Sequence, residues 1–363
     1  MKELSVFALR RKRVLPLLGQ YEGPPAEAFL ATALPNVRYL TGFTGSNGAM
    51  LITPLRAILF TDPRYAAQSA QQADCDIRIA KGPLAKDIAS KVKRLNLRSL
   101  AIELNRLSFE DHRQLVELLP GVSLKPVGGL VETLRMVKSP EEVGVVRASV
   151  KLNSAALEQA LRHFKAGMSE NDLAAEIDYR MRLLGADGHA FDTIVASGKR
   201  SALPHAHPTA HPVERNELLL IDMGSMVAGY ASDMTRTYVV GRVGTKIRRI
   251  YQAVLESQLT ALALLKPGVS CAKVDRAVRN VLRGYGFDKL FMHSTGHGLG
   301  LEIHERPRIG RKEAVKLEAG MTITIEPGVY EQSLGGVRIE DTVLITERGC
   351  EVLTPTGKDL VAL

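Results

Sequence analysis

Leu218-Leu219-Leu220-Ile221-Asp222-Met223-Gly224 is an apolar run that ends on a carboxylate and a glycine, and Met321-Thr322-Ile323-Thr324-Ile325-Glu326-Pro327-Gly328 repeats that pattern further along the chain. Each run has the length and side-chain types of a buried strand. Each is followed by a second strand-like run with its own acid. Asp233 opens Met234-Thr235-Arg236-Thr237-Tyr238-Val239-Val240, and Glu340 follows Val337-Arg338-Ile339 and precedes Thr342-Val343-Leu344-Ile345. The acids are 11 residues apart in the first pair and 14 in the second, spacings that allow a hairpin-like return. His297 lies between the pairs, in Gly296-His297-Gly298-Leu299-Gly300. A carboxylate inside an apolar run is costly unless something neutralises it. Four carboxylates carry about four negative charges, which two divalent cations would balance. Read singly, each acid is a strand-end residue facing water. Two similar pairs around a Gly-flanked histidine favour a two-metal hydrolase.

The region around these runs contains an internal repeat. Lys165-Ala166-Gly167-Met168-Ser169 returns as Lys266-Pro267-Gly268-Val269-Ser270, an offset of 101. At that offset Leu173, Ile177, Met181 and Gly185 match Val274, Val278, Leu282 and Gly286. Spacing i, i+4, i+8 predicts the buried stripe of a helix, with the glycine as its stop. Each copy has a long helical stretch before it, near 140–164 and 246–265, and an acid-bearing strand pair after it. The repeat predicts a pseudo-twofold arrangement with the acid pairs facing each other.

A domain boundary falls near residues 130–140. Ser139-Pro140-Glu141-Glu142 combines an N-cap serine, a proline at the first helical position and a glutamate three residues after the cap. Before it lies a mixed α/β region. Ala49-Met50-Leu51-Ile52-Thr53 and Arg56-Ala57-Ile58-Leu59-Phe60-Thr61 read as paired strands around Pro54, and Asp62-Pro63-Arg64-Tyr65 turns into a helix.

The 363 residues suffice for two domains, and 45% hydrophobic with 24% charged residues fits a soluble globular protein. No apolar stretch is long enough to span a bilayer. The N-terminus runs into Arg10-Arg11-Lys12-Arg13 without a long apolar core, which does not read as a secretory signal. Cys75, Cys271 and Cys350 are odd in number and far apart, as expected in a reducing cytosol. A formal charge of +9 raises the question of nucleic acid. The basic residues are spread out, Trp is absent and aromatics are 5%, so a solvated basic face is the better reading.

The motif segments resemble those of the pita-bread metallopeptidases: methionine aminopeptidase, aminopeptidase P and prolidase. The matching stretches are Ile221-Asp222-Met223-Gly224, Tyr230 to Thr237, His293 to Gly300, Ile303-His304-Glu305, Ile325-Glu326-Pro327-Gly328 and Val337 to Asp341. The resemblance implies five metal ligands, Asp222, Asp233, His297, Glu326 and Glu340, and covers residues 140–363. The N-terminal residues are similar to the extra domain of the proline-specific branch, through Tyr39 to Gly45 and Phe60 to Tyr65. The implied architecture is α+β: a smaller α/β creatinase-type domain over residues 1–132, then a catalytic pita-bread domain with its pseudo-twofold repeat over 139–363. Creatinase shares that architecture but lacks the full metal set.

Carboxylate and imidazole ligands without thiolates suit two ions of Mn first, or Co, Fe or Zn, in an open catalytic site. A water shared by such ions has its pKa lowered from about 15.7 to near 7, so that hydroxide is available at neutral pH. The resemblance makes Glu326 a proton shuttle as well as a ligand. It makes His205 and His304 donors to the substrate and its tetrahedral intermediate. It places His293 and Arg338 around the proline ring. His207 and His211 read as loop residues, Tyr230 as pocket or packing, and Arg338 equally as a partner of Asp222 or Glu340. Gly296, Gly298 and Gly300 oppose a helix, so a loop is expected to carry His297.

The expected activity is removal of the first residue from peptides with proline second, an Xaa-Pro aminopeptidase, in a cytoplasmic homodimer without nucleic-acid or membrane partners. The alternative is an Xaa-Pro dipeptidase, a prolidase restricted to dipeptides. A non-catalytic binding protein on the same fold ranks below both, because no metal ligand is missing.

Overall fold

The computed structural model describes residues 4–363. The chain divides into two compact units, with the division between Arg135 and Met136.

The first unit is built on a six-stranded mixed sheet. Its spatial order is Asp76–Ile79, Ala57–Thr61, Gly48–Ile52, Ala28–Ala31, Ser99–Glu103 and Ser123–Val127. Gly48–Ile52 and Ala57–Thr61 pair antiparallel with Ile52 opposite Ala57, the hairpin the sequence predicts around Pro54. Both strands are nearly all buried, which explains their continuous apolar runs. Asp62 then caps the next turn by accepting the Arg64 N–H, and the helix Ala66–Gln72 follows.

The second unit contains the repeat. The helix Pro140–His163 starts with a full capping box between Ser139 and Glu142. The helices Glu170–Leu183 and Cys271–Tyr285 occupy matching places. Leu173, Ile177 and Met181 in one, and Val274, Val278 and Leu282 in the other, are all buried. The first stripe packs on Val195, Leu219 and Ile221, the second on Ile323 and Ile325. Gly185 and Gly286 follow these helices with φ of 96° and 83°, a backbone region that admits glycine without steric cost.

The sheets match as well. In the first half Glu217–Met223 lies between Ile194–Ser197 and Met234–Val240. In the second half Thr322–Ile325 lies between Gly296–Gly298 and Asp341–Ile345, in a five-stranded sheet completed by Glu305–Ile309 and Cys350–Val352. Ser197 pairs with Leu219 as Gly298 pairs with Ile323. This register puts Ala196 at the counterpart of His297 and Asp222 at the counterpart of Glu326.

Candidate functional site

Each acid pair sits where a strand ladder ends and the chain leaves for a small hairpin. Asp222 lies opposite Thr235, and Asp233 immediately precedes the returning strand. Ser225–Val227 and Tyr230–Ala231 form the excursion between them. In the second half Ile325 lies opposite Asp341, so Glu326 and Glu340 flank the end of that ladder. Gly328–Glu331 and Gly335–Arg338 form its excursion. The halves are then stitched together. The Glu340 N–H donates to Thr235 O (3.1 Å), and Thr342 Oγ1 donates to Asp233 O (2.8 Å). Local ladders position the acids within a pair, and these cross-half bonds position the pairs against each other.

His297 lies on the strand Gly296–Gly298, not on the loop expected from its glycines. A Cβ at Gly296 would run into the Thr324 carbonyl oxygen, and one at Gly298 into the Arg306 carbonyl oxygen. Glycine is needed here for close approach of neighbouring strands, which overrides its low strand propensity. The register shifts between His297, opposite Arg308, and Gly298, opposite Glu305, so Arg306 and Pro307 are extra residues on the partner strand. Its Nδ1–H donates to Gly298 O (3.0 Å), which leaves Nε2 as the ring nitrogen that faces the acids. Nε2 lies 3.5 Å from Asp233 Oδ2 and 3.4 Å from Glu326 Oε1.

One ligand atom each from Asp233, His297 and Glu340 lie within 4.8 Å of one another. Asp222, Asp233 and Glu340 are buried. Asp222 Oδ2 accepts from Arg338 Nη2 at 2.5 Å, while its buried Oδ1 has no hydrogen-bond partner among the described residues. An orphaned, buried carboxylate oxygen beside three more acids is costly in a site built only of protein. The residues present therefore fit divalent cations.

The electrostatics agree. Burial and then the charges of Asp233, Glu326 and Asp222 push Glu340 well above the usual carboxylate range. Burial also raises Glu326 and Asp233, each with a neighbouring acid adding to it. Burial works against charge on His297, but the bond to Asp233 and the charge of Glu326 outweigh it and raise its pKa. Without a cation this pocket holds protons; a divalent cation supplies the positive charge in their place.

Two threonines orient the acids, and sequence reasoning missed both. Thr235 Oγ1 donates to Glu340 Oε2 (2.6 Å) and Thr324 Oγ1 to Glu326 Oε1 (3.2 Å). The only signal was their place beside the acids in alternating strands. Tyr330 was missed too. Its Oη donates to His293 Nε2 (2.8 Å) and accepts from Arg338 Nη1 (2.8 Å). Burial pushes its pKa up to about 12, so it keeps its proton. His293 is lowered to about 4, by burial first and Arg338 second, and is neutral. Its approach to Glu326 Oε2, 3.7 Å from Nδ1, is accordingly no ion pair.

Arg338 is buried and bonds Asp222, Tyr330, Thr235 Oγ1 and Pro204 O. It is thus a partner of Asp222 and a brace for the segment carrying His205. The exposed His304 ring meets the His297 ring edge-on, centroids 4.4 Å apart. Partial desolvation beside His297, then the charges of His297 and His205, lower its pKa. His205 sits exposed on a turn, near enough to act on both His293 and His304. The exposed His207 offers its backbone carbonyl to Arg200, and His211 is likewise exposed in irregular chain. Tyr230 donates to Glu142 Oε1 (2.7 Å), which ties it to the capping box of the first helix.

Comparison with known proteins agrees with this geometry. The profile of metallopeptidase family M24 matches residues 145–347, and that of the creatinase/prolidase N-terminal domain matches residues 10–137. An Xaa-Pro dipeptidase of Pyrococcus horikoshii is 37% identical over 336 residues, covering 92% of this chain and 94% of that protein. The solved structure of an Xaa-Pro dipeptidase from Bacillus anthracis superposes with a TM-score of 0.95 at 35% identity, over 98% of this chain and 100% of that one. The X-Pro aminopeptidase from Thermotoga maritima superposes with a TM-score of 0.90 at 34% identity, again over 98% and 100%. The chain belongs to metallopeptidase family M24, with the pita-bread fold preceded by a creatinase-type N-terminal domain. It is a metallopeptidase of the aminopeptidase or dipeptidase type.

Proposed function

We propose that this family member is an Xaa-Pro dipeptidase that uses two divalent ions, manganese first, with residues 1–132 as its accessory domain and 139–363 as its catalytic domain. The observation that carries the reading is the cluster of Asp233, His297 and Glu340, with Glu326 against His297 and a buried, orphaned oxygen on Asp222. Relatives called Xaa-Pro dipeptidase in two Pyrococcus species support the dipeptide alternative over the aminopeptidase expected first. The likeness to the Thermotoga aminopeptidase keeps longer peptides as the second reading.

The five side chains would hold the ions. Bound there, they would act as Lewis acids on the scissile carbonyl and lower the pKa of a water. Glu326, steadied by Thr324, takes a proton from the attacking water and returns it to the leaving nitrogen. His304 and His205 donate to the oxygen that gains negative charge. Neutral His293, fixed by Tyr330, offers an uncharged wall to the proline ring.

The test is cleavage of Ala-Pro and Ala-Pro-Ala side by side by metal-stripped protein, with and without Mn²⁺. Metal-dependent cleavage of the dipeptide alone is expected. Preference for the tripeptide moves the assignment to an aminopeptidase. Cleavage of neither with any divalent metal overturns the Xaa-Pro reading.

A further inference from the structure

His205 is exposed, yet the chain around it is held by a buried carboxylate far from the metal ligands in sequence. Glu170, at the start of the helix Glu170–Leu183, is fully buried. Its Oε1 accepts from the Ser197 N–H (2.8 Å) and Ser197 Oγ (3.2 Å). Its Oε2 accepts from the Thr209 N–H (3.1 Å) and Thr209 Oγ1 (2.8 Å). Arg200 Nε donates to both oxygens, at 3.2 and 3.0 Å. One side chain thus ties down the two ends and an interior point of residues 197–209. Arg200 extends the brace: its Nη2 donates to His207 O at 2.7 Å. On the other side of His205, Pro204 O is held by Arg338 (3.2 Å). His205 therefore lies between two clamped carbonyls, one held through Glu170 and Arg200 and the other by an arginine of the metal site.

The second half shows what this brace replaces. Its corresponding segment carries His304 and continues into the strand Glu305–Ile309, which pairs with Gly296–Gly298. Ladder bonds hold its downstream part, and beside His304 the buried Glu305 carboxylate accepts from the Glu302 N–H (3.2 Å) and from Lys138 (3.0 Å), a smaller brace than the one Glu170 makes. At the offset of 101 the counterpart of Glu170 is Cys271, a buried thiol without such a set of acceptors. In the first half residues 203–211 run as turns and irregular chain. A buried carboxylate is an expensive way to order a segment, justified only if most of its acceptor sites are filled, as here.

We propose that Glu170 is the positioning residue for the His205 turn: through Ser197, Arg200 and Thr209 it sets where that imidazole stands relative to the scissile carbonyl. The inference rests on the reading of His205 as a donor to the substrate. Glu170 touches neither substrate nor metal and acts only through the segment it holds. In Glu170→Gln one acceptor oxygen becomes an amide that faces the donors of Thr209 or Arg200, so the segment loosens while the helix keeps its side-chain volume.

The test is a double-mutant cycle on the full chain loaded with Mn²⁺. Glu170→Gln, His205→Ala and the double variant are assayed on Ala-Pro or Ala-Pro-Ala, whichever the enzyme cleaves faster, alongside bound metal. Glu170→Gln is expected to lower kcat about ten- to hundredfold with bound metal unchanged, since small misplacements of a reacting group are costly. In the His205→Ala background the same change is expected to lower kcat less than about twofold, because the group being positioned is gone. Should the two effects multiply instead, Glu170 acts independently of His205 and the inference is overturned. If His205→Ala alone leaves turnover intact, the donor reading of His205 fails and the inference falls with it. Thr209→Val, which removes one hydroxyl donor, serves if Glu170→Gln does not fold; a smaller loss with the same non-additivity is expected, and additivity overturns the inference.

Discussion

The two halves of the second unit, residues 140–240 and 245–345, are built on one plan and differ at a few positions. Both have a long helix, a second helix with a buried i, i+4, i+8 stripe and a central strand with an acid at or just past its end. Both return that strand antiparallel after a small hairpin. Yet His297 stands in the second half where Ala196 stands in the first. Glu170 stands in the first where Cys271 stands in the second. The shared plan sets where carboxylates emerge, and the positions that break it set what they do. One imidazole on one side makes the two halves of the site inequivalent.

The largest effect expected is on the shared feature. Asp222→Ala and Glu340→Ala remove one acid from each half. Each should lower turnover by more than about 100-fold, the upper range for losing only a group that orients a ligand. Each should also reduce bound metal, read by elemental analysis of the purified protein. Near-normal turnover in either variant would detach that half from the site.

The scaffold comparison predicts equal dependence on the two stripes. Ile177→Ala and Leu282→Ala each empty a buried position in matching helices. Each should cost about 2–5 kcal/mol in denaturant unfolding. A large cost in one half and none in the other would mean that the halves do not pack alike.

The smallest effect separates the helix starts. Ser169 forms a capping box with Asp172, whereas Ser270 makes no side-chain capping bond among the described residues. Ser169→Ala should cost about 1 kcal/mol. Ser270→Ala should cost much less, and equal losses on chemical denaturation would contradict the difference.

Much of this plan was legible in the sequence because it depends on local periodicity. The stripes, the capping box at Ser139, the hairpin around Pro54 and the strand-end acids all follow from spacing. What could not be read depends on partners distant in the chain. The glycines beside His297 oppose both helix and strand by propensity, and only the nearby Thr324 and Arg306 carbonyls explain them. Thr235 and Thr324 look like ordinary strand residues until their hydroxyls are seen on Glu340 and Glu326. Tyr230 and Arg338 each had two open readings, which Glu142 and Asp222 narrow by direct hydrogen bonds. Glu170 reads as a first-turn acid at a helix start, and nothing local announces that it holds Ser197, Arg200 and Thr209.

The central claim is that the two halves together make one two-ion site. Calorimetric titration of metal-free protein with Mn²⁺, in buffers of different ionisation heat, tests it most directly. The account predicts two ions per chain with net proton release, because the pocket holds Asp233, Glu326 and Glu340 raised above their ordinary pKa values while no cation is bound. Affinity should therefore rise with pH until those protons are gone. No binding, or a single ion whose uptake is unchanged in Asp222→Ala and in Glu340→Ala, would contradict it.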